Sequence, residues 1–240
     1  MGFYEKYVKR AGDVICALLT LILFFWLYLL LAILVRIKLG APVIFKQPRP
    51  GMIDPKTGKE RIFYMYKFRT MTNEKNANGE LLPDEKRLTR FGKILRATSL
   101  DELPELVNVL KGDMSLIGPR PQLVRDMVFM TEKQRMRHTA RPGMSGLAQS
   151  KGRNTVAWDD KLEWDLKYIE KVSLFGDIKI IFATIKMLLL REDAGEEFCG
   201  TDITDDYGDS LLAEGRVSRE QYDLLQAKAQ ELIAERERFG

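Results

Sequence analysis

From Val14 to Val35 the chain runs for 22 residues without a charge, a glycine or a proline. Crossing a bilayer core takes roughly 20 helical apolar residues, so this run is long enough to hold the rest of the chain at a membrane. It ends at Arg36-Ile37-Lys38 rather than at a small-residue cleavage site, which marks a retained anchor and not a cleaved signal peptide. Lys6, Lys9 and Arg10 precede the run and Arg36 and Lys38 follow it, so the Lys/Arg bias hardly chooses a side. A helix that enters and leaves by one face has this symmetry. A spanning helix with a very short outer tail is the alternative.

The formal net charge of +4 conceals an uneven distribution. Residues 1–70 hold twelve Lys and Arg against four acids. A basic end beside an apolar anchor suits anionic headgroups or a phosphorylated substrate. Between Glu192 and Glu214 there are nine acids and no base, which reads as a solvated connector. Residues 216–237 then form a separate charged helix, for packing or for a partner. Cys16 lies in the apolar run and Cys199 in the acidic stretch, so neither a disulfide nor a redox pair is expected. His138 is the sole histidine. That excludes histidine clusters and leaves catalysis, in an enzyme, to carboxylates. No zinc spacing, Walker loop or dinucleotide glycine pattern is present.

Two short runs rich in Val, Ile, Phe and Tyr, Pro42 to Gln47 and Arg61 to Lys67, flank a Pro- and Gly-rich loop from Pro48 to Lys59. They predict a small antiparallel hairpin. Residues 73–87 read as an exposed polar loop. Helical patterning follows at Thr89 to Arg96, Leu123 to His138, Trp158 to Lys171 and Leu174 to Leu190. The last carries Leu174, Ile178, Ile181, Phe182, Ile185 and Leu189 at helical spacing. That face fits either a core helix or one lying in a membrane interface.

The segment Arg96-Ala97-Thr98-Ser99-Leu100-Asp101-Glu102-Leu103-Pro104-Glu105-Leu106 is the most informative. Ser99 and Glu102 have capping-box spacing, which would make both acids complements of a helix start. Pro104 prefers the first helical position, so the helix starts later on the other reading and leaves Asp101 and Glu102 in its approach. Adjacent acids there can divide nucleophilic attack from proton handling or metal binding, and Arg96 can neutralise a diphosphate. Arg120, held between Pro119 and Pro121, is either a fixed phosphate-binding arginine or part of a structural turn. Arg141-Pro142-Gly143-Met144-Ser145-Gly146 repeats the idea. Lys67-Phe68-Arg69 adds two cations, for phosphate or for a solvated edge.

The order of these segments resembles the bacterial sugar transferase family, the monotopic phosphoglycosyl transferases that begin glycoconjugate assembly. It runs from the apolar stretch through Pro42-Val43-Ile44-Phe45-Lys46-Gln47, Tyr66 to Met71, Thr98 to Leu106 and Met114 to Pro121, ending at Arg141 to Gly146. The resemblance covers roughly residues 8–190. It implies an α+β, mostly helical fold: a re-entrant membrane helix at 1–40, a catalytic domain at 41–190 with one hairpin and interfacial helices around the acids, and an appended 191–240.

The resemblance also implies chemistry. Asp101 would attack a UDP-sugar, releasing UMP and leaving a covalent sugar phosphate that polyprenyl (undecaprenyl) phosphate then accepts. Glu102 would assist proton transfer from the acceptor or metal positioning, and Mg²⁺ would sit near Asp101. Arg96, Arg120, Arg141, Lys67, Arg69 and, in the loop Gly152-Arg153-Asn154, Arg153 would meet the substrates. The place implied is the bacterial inner membrane, with the catalytic domain on its cytoplasmic face among membrane lipids. Family members break the membrane helix with a Ser-Pro pair, where this chain has Phe25-Trp26. A polytopic transferase needs many apolar runs, and a nucleic-acid binder needs a module not found here. A scaffold or lipid-phosphate binder on this fold would keep the cations and lose the acid pair. Neither the sugar nor homo-oligomerisation is legible.

Overall fold

The uncharged N-terminal run folds as two helices rather than one. The structure, a computed structural model, describes residues 2–152, 157–190 and 206–239. After a π-helical turn at Tyr4–Val8, helix α1 spans Lys9–Leu23 and α2 spans Phe25–Leu39. Phe24 between them leaves helical geometry (φ −110°, ψ 18°), and the pair is bent by 67°. Among the described residues no single helix is long and apolar enough to cross a membrane.

No proline causes the break, which falls one residue before Phe25-Trp26. The two halves instead pack on different surfaces. Ala17 and Leu21 of α1 join Phe63, Met65, Leu106 and Val109, while Leu31 and Val35 of α2 join Phe68 and Leu95. Serving both clusters requires the bend, so tertiary packing overrides a run whose local propensity is continuous. The outward side keeps Ile22, Leu23, Phe25, Trp26 and Leu29 exposed, a contiguous apolar surface of the kind that marks a membrane or partner contact.

Strands β1 (Ile44–Ile53) and β2 (Glu60–Phe68) form the expected antiparallel hairpin. Its tip is shorter than the sequence suggests, because Pro48 and Pro50 sit inside β1, opposite Tyr64 and Ile62. Spaced by two, they face the same way along an edge strand, where a missing N–H breaks no ladder. Residues 73–87 are mostly exposed, with one helical turn, α3 (Asp84–Arg87). Helix α4 (Arg90–Ala97) starts where expected, because the Thr89 hydroxyl accepts the Gly92 N–H at 3.0 Å.

A 3₁₀ turn at Leu100–Glu102 leads into α5 (Glu105–Lys111). Strand β3 (Ser115–Ile117) then pairs in parallel with β4 (Gly143–Ser145), a pairing too short to have left a periodic signal. Between them, the helix expected over 123–138 is broken into α6 (Val124–Met127), α7 (Glu132–Arg135) and a 3₁₀ turn at Met136–Thr139. Thr131 restarts the chain with a capping box: its hydroxyl accepts the Gln134 N–H, and Gln134 accepts the Thr131 N–H at 2.8 Å.

Helices α8 (Trp158–Glu170) and α9 (Leu174–Leu190) occupy their expected spans. The apolar face of α9 is not core. Phe175 is 77% and Phe182 68% exposed, with Leu174, Ile178, Ile181 and Ile185 also exposed, while Ile180 is buried. The N-terminal segment is tied to α9 through buried Asp177, which accepts from Tyr4 Oη (2.8 Å), Lys9 Nζ (2.6 Å) and Tyr168 Oη (2.9 Å). Helices α10 (Tyr207–Ala213) and α11 (Arg219–Phe239) pack on the rest of the chain. Tyr207 and Leu211 join Phe129 and Leu162, and Ala229 joins Ile62, Val124 and Met127.

Candidate active site

Pro104 decides where the helix begins. It stands just before α5, so Asp101 and Glu102 occupy the 3₁₀ approach rather than a helical first turn. Ser99 adopts a left-handed conformation (φ 54°, ψ 19°) and its side chain makes no cap hydrogen bond, so the capping-box account of Glu102 does not hold. The Glu102 carboxylate points instead into a group of cations. It accepts from Lys67 Nζ at 2.8 Å and from Arg120 Nη2 at 2.5 Å, both on Oε1. Lys67 arrives from the end of β2 and Arg120 from the turn after β3. Arg96, at the end of α4, donates its Nε–H to Thr70 Oγ1 at 3.1 Å, and its positive charge acts on Asp101.

The three acids of this segment are pulled apart electrostatically. Burial pushes Asp101 up to about 6, opposed by the charges of Lys67, Arg96 and Arg120. Burial would also raise Glu102, but Arg120 and Lys67 outweigh it and hold that carboxyl far below the usual range. Glu105 is fully buried and lies 3.4 Å from Lys67 Nζ. Burial and the neighbouring charge of Glu102 push it up to about 7. Two carboxylates thus compete for one ammonium, and Glu102 holds it by the shorter contact.

The turn bearing Arg120 is fixed from three sides. Gly118, Gly143 and Gly146 let the β3 and β4 segments cross in contact, because a Cβ on Gly143 or Gly146 would collide with the backbone of Gly118. Fully buried Arg137, paired with Asp165 through Nε at 2.9 Å, donates Nη2–H to the Arg120 carbonyl at 2.6 Å. Arg49 donates Nη1–H to the Pro121 carbonyl at 3.0 Å.

Not every expected cation joins the acids. Arg69 is buried, with its guanidinium on the carbonyls of Ala41 (2.8 Å) and Leu39, where it finishes the end of α2. Arg141 donates Nε–H to the Gly112 carbonyl at 2.8 Å, at the far end of α5 from the acids. Arg10 donates to Val109 and Leu110 there, and together the two arginines complement the helix C-terminus. Arg153 lies outside the described residues.

The acid pair is thus approached by Lys67, Arg96 and Arg120, a cationic surround that suits anionic groups. Residues 4–191 match the model of the family described as Bacterial sugar transferase. The chain belongs to this family. It is 46% identical over 185 residues to the "Uncharacterized sugar transferase EpsL" of Bacillus subtilis (strain 168), covering 77% of this chain and 89% of that one. It is 38% identical over 192 residues to the UDP-N-acetylgalactosamine-undecaprenyl-phosphate N-acetylgalactosaminephosphotransferase of Aeromonas hydrophila, covering 76% of this chain and 44% of that one. It is 36% identical over 196 residues to a UDP-glucose:undecaprenyl-phosphate glucose-1-phosphate transferase of Caulobacter vibrioides, covering 78% and 71%. The chain thus spans less than half the length of the Aeromonas enzyme.

Two residues of this bacterial sugar transferase site escaped sequence reasoning. Arg49 carries the same signal that singles out Arg120, an arginine between two prolines (Pro48 and Pro50), but the sequence puts it in the loop from Pro48 to Lys59. It is half-buried near Arg120, and desolvation, reinforced by that neighbouring charge, lowers it to about 10. Glu105 stands in the first turn of α5, and only the fold shows it facing inward.

Proposed function

We propose that the chain transfers a sugar 1-phosphate from a UDP-sugar to a polyprenyl phosphate such as undecaprenyl phosphate, giving the polyprenyl-diphosphate-sugar and UMP. The observation that carries this reading is a buried aspartate, Asp101, next to a glutamate that gathers Lys67 and Arg120. The undecaprenyl-phosphate transferases named above, at 36–38% identity, support the same reaction class.

In the first step a carboxylate oxygen of Asp101 attacks the sugar-bearing phosphorus of the donor. The P–O bond to UMP breaks and UMP leaves with the electron pair. In the second step a polyprenyl phosphate oxygen attacks the same phosphorus, the P–O bond to Asp101 breaks and the carboxylate is restored. Glu102 takes the acceptor's proton once substrate phosphate draws Lys67 and Arg120 from it and its proton affinity rises. Lys67, Arg96 and Arg120 neutralise phosphate charge, which supplies most of what phosphoryl transfer asks of a protein. Arg69 and Arg141, engaged with backbone carbonyls, hold the frame.

Mg²⁺ fits this donor set. It binds through one or two carboxylates together with substrate phosphates and does not need an all-protein cage. Among the described residues no three His, Cys, Asp or Glu groups converge on a common point, but one hard carboxylate, Asp101, faces the cations that would meet the diphosphate. Asp101 would hold the ion, which when bound offsets negative charge on the diphosphate.

The bent pair α1–α2 enters and leaves the bacterial inner membrane by the cytoplasmic face, and the exposed face of α9 lies in the interface. A soluble donor and a lipid acceptor then react in turn at one site. The reading is tested by UMP release from UDP-sugars in detergent with and without polyprenyl phosphate. Acceptor-dependent release that is abolished in Asp101→Asn is expected. Undiminished release in that variant would remove the nucleophile, and no release with any donor would favour a non-catalytic scaffold.

A further inference from the structure

Glu105 is 0% exposed, and neither of its carboxylate oxygens accepts a hydrogen bond from a described residue. Its nearest cation is Lys67, at 3.4 Å. A buried carboxylate without hydrogen bonds is costly, and Lys67 has a closer partner in Glu102 at 2.8 Å, so removing the Glu105 charge leaves no buried cation unpaired. The fold alone therefore has no use for the charge at this position.

One turn further along α5, fully buried Asn108 grips the strand that carries Lys67. Its Oδ1 accepts the Tyr66 N–H at 3.0 Å and its Nδ2 donates to the Tyr64 carbonyl at 2.7 Å. Residues three apart share a helix face, so α5 presents both side chains to β2: Asn108 fixes the backbone up to Tyr66, and Glu105 faces the ammonium of the next residue. A lysine on a flexible stem is a point charge that its surroundings must locate. Glu102 alone is an insecure partner, because it also holds Arg120 and because an arriving diphosphate competes for both cations.

We propose that Glu105 is a positioning residue that, with Asn108, seats the Lys67 ammonium at the acid pair so that Lys67 remains in place when substrate phosphate draws it from Glu102. This rests on the phosphoglycosyl transferase reading above.

The test uses full-length protein in detergent: Glu105→Gln, Lys67→Ala and the double variant, with UMP release under saturating and limiting donor and with thermal stability. Glu105→Gln should keep or raise the melting temperature and leave donor KM within about threefold, while kcat falls on the order of 10- to 100-fold, as expected when a catalytic contact is misplaced. If Glu105 acts through Lys67, adding Glu105→Gln to Lys67→Ala causes little further loss. Unchanged kcat in Glu105→Gln, or losses that multiply in the double variant, would overturn the proposal whatever happens to stability. Wild-type protein that releases no UMP with any donor would instead sink the underlying reading, and this inference with it.

Discussion

Arg49 and Arg120 stand in two Pro-Arg-Pro segments that face each other, joined by the 3.0 Å hydrogen bond from Arg49 Nη1 to the carbonyl of Pro121. Arg49 Nη2 also donates to Gln47 Oε1 at 2.7 Å, so one planar guanidinium spans the hairpin and the Arg120 turn. Lysine cannot reproduce that fork. Arg49→Lys should therefore leave the protein folded while kcat/KM for the donor falls by about 10- to 100-fold through misplacement of Arg120. Wild-type kcat/KM in this variant would show that the contact does not position Arg120.

The two acids should respond differently to neutralisation. Because burial raises Asp101, its ionised form costs stability near neutral pH, and Asp101→Asn should abolish turnover without lowering the melting temperature. Glu102→Gln should also abolish turnover, but it removes a charge-assisted partner from both Lys67 and Arg120. A loss of about 1–3 kcal/mol is expected. Thermal melts of the two variants side by side check the contrast, and equal loss in both would refute it.

Acid should loosen the fold through His138. This buried imidazole donates Nδ1–H to Glu60 Oε1 (3.1 Å) and accepts from Arg137 Nη1 at Nε2 (3.4 Å), with Arg135 also on Glu60. Burial, aided by these arginines, lowers it from 6.5 to about 4. The unfolded chain then binds the extra proton between those values, so stability is lost as pH falls from about 6.5 towards 4, by up to about 3 kcal/mol. Glu60, held at about 2 against an ordinary 4.5 despite its burial by His138 and Arg135, adds a second loss below pH 4.5. Asp101 and Glu105, raised by burial, act in the opposite sense over this range, so the His138 effect is read as a difference: denaturant melts across pH 4–7 should show wild type losing stability relative to His138→Gln as pH falls.

The bend at Phe24 makes a topological prediction. Cysteines introduced at position 3 and in the 73–87 segment, in a background without Cys16 and Cys199, should react with a membrane-impermeant reagent from the same face. Reaction from opposite faces would establish a spanning helix.

What the sequence revealed was what is local. The hairpin, α4, α8 and α9 follow from periodicity and from caps such as Thr89; the acid pair stands out through the family resemblance, and Pro104 marks only where its helix begins. What it hid depends on distant partners. The bend at Phe24 comes from two separate packing surfaces. The β3–β4 pair is three residues long on each side and is marked only by Gly118, Gly143 and Gly146. Thr131 and Gln134 do have capping-box spacing, but the apolar pattern around them concealed the restart of the helix. The hydrogen bonds of Arg69 and Arg141 to the carbonyls of Leu39, Ala41 and Gly112 are likewise announced by no local feature.

The central claim, a covalent sugar phosphate on Asp101, is tested most directly by intact-protein mass spectrometry of the detergent-purified enzyme with Mg²⁺ and a panel of UDP-sugars, without lipid acceptor. The account predicts a mass increase of one sugar phosphate with the correct donor, lost on adding polyprenyl phosphate and absent in Asp101→Asn. Acceptor-dependent UMP release with no adduct for that donor would contradict it and indicate direct transfer.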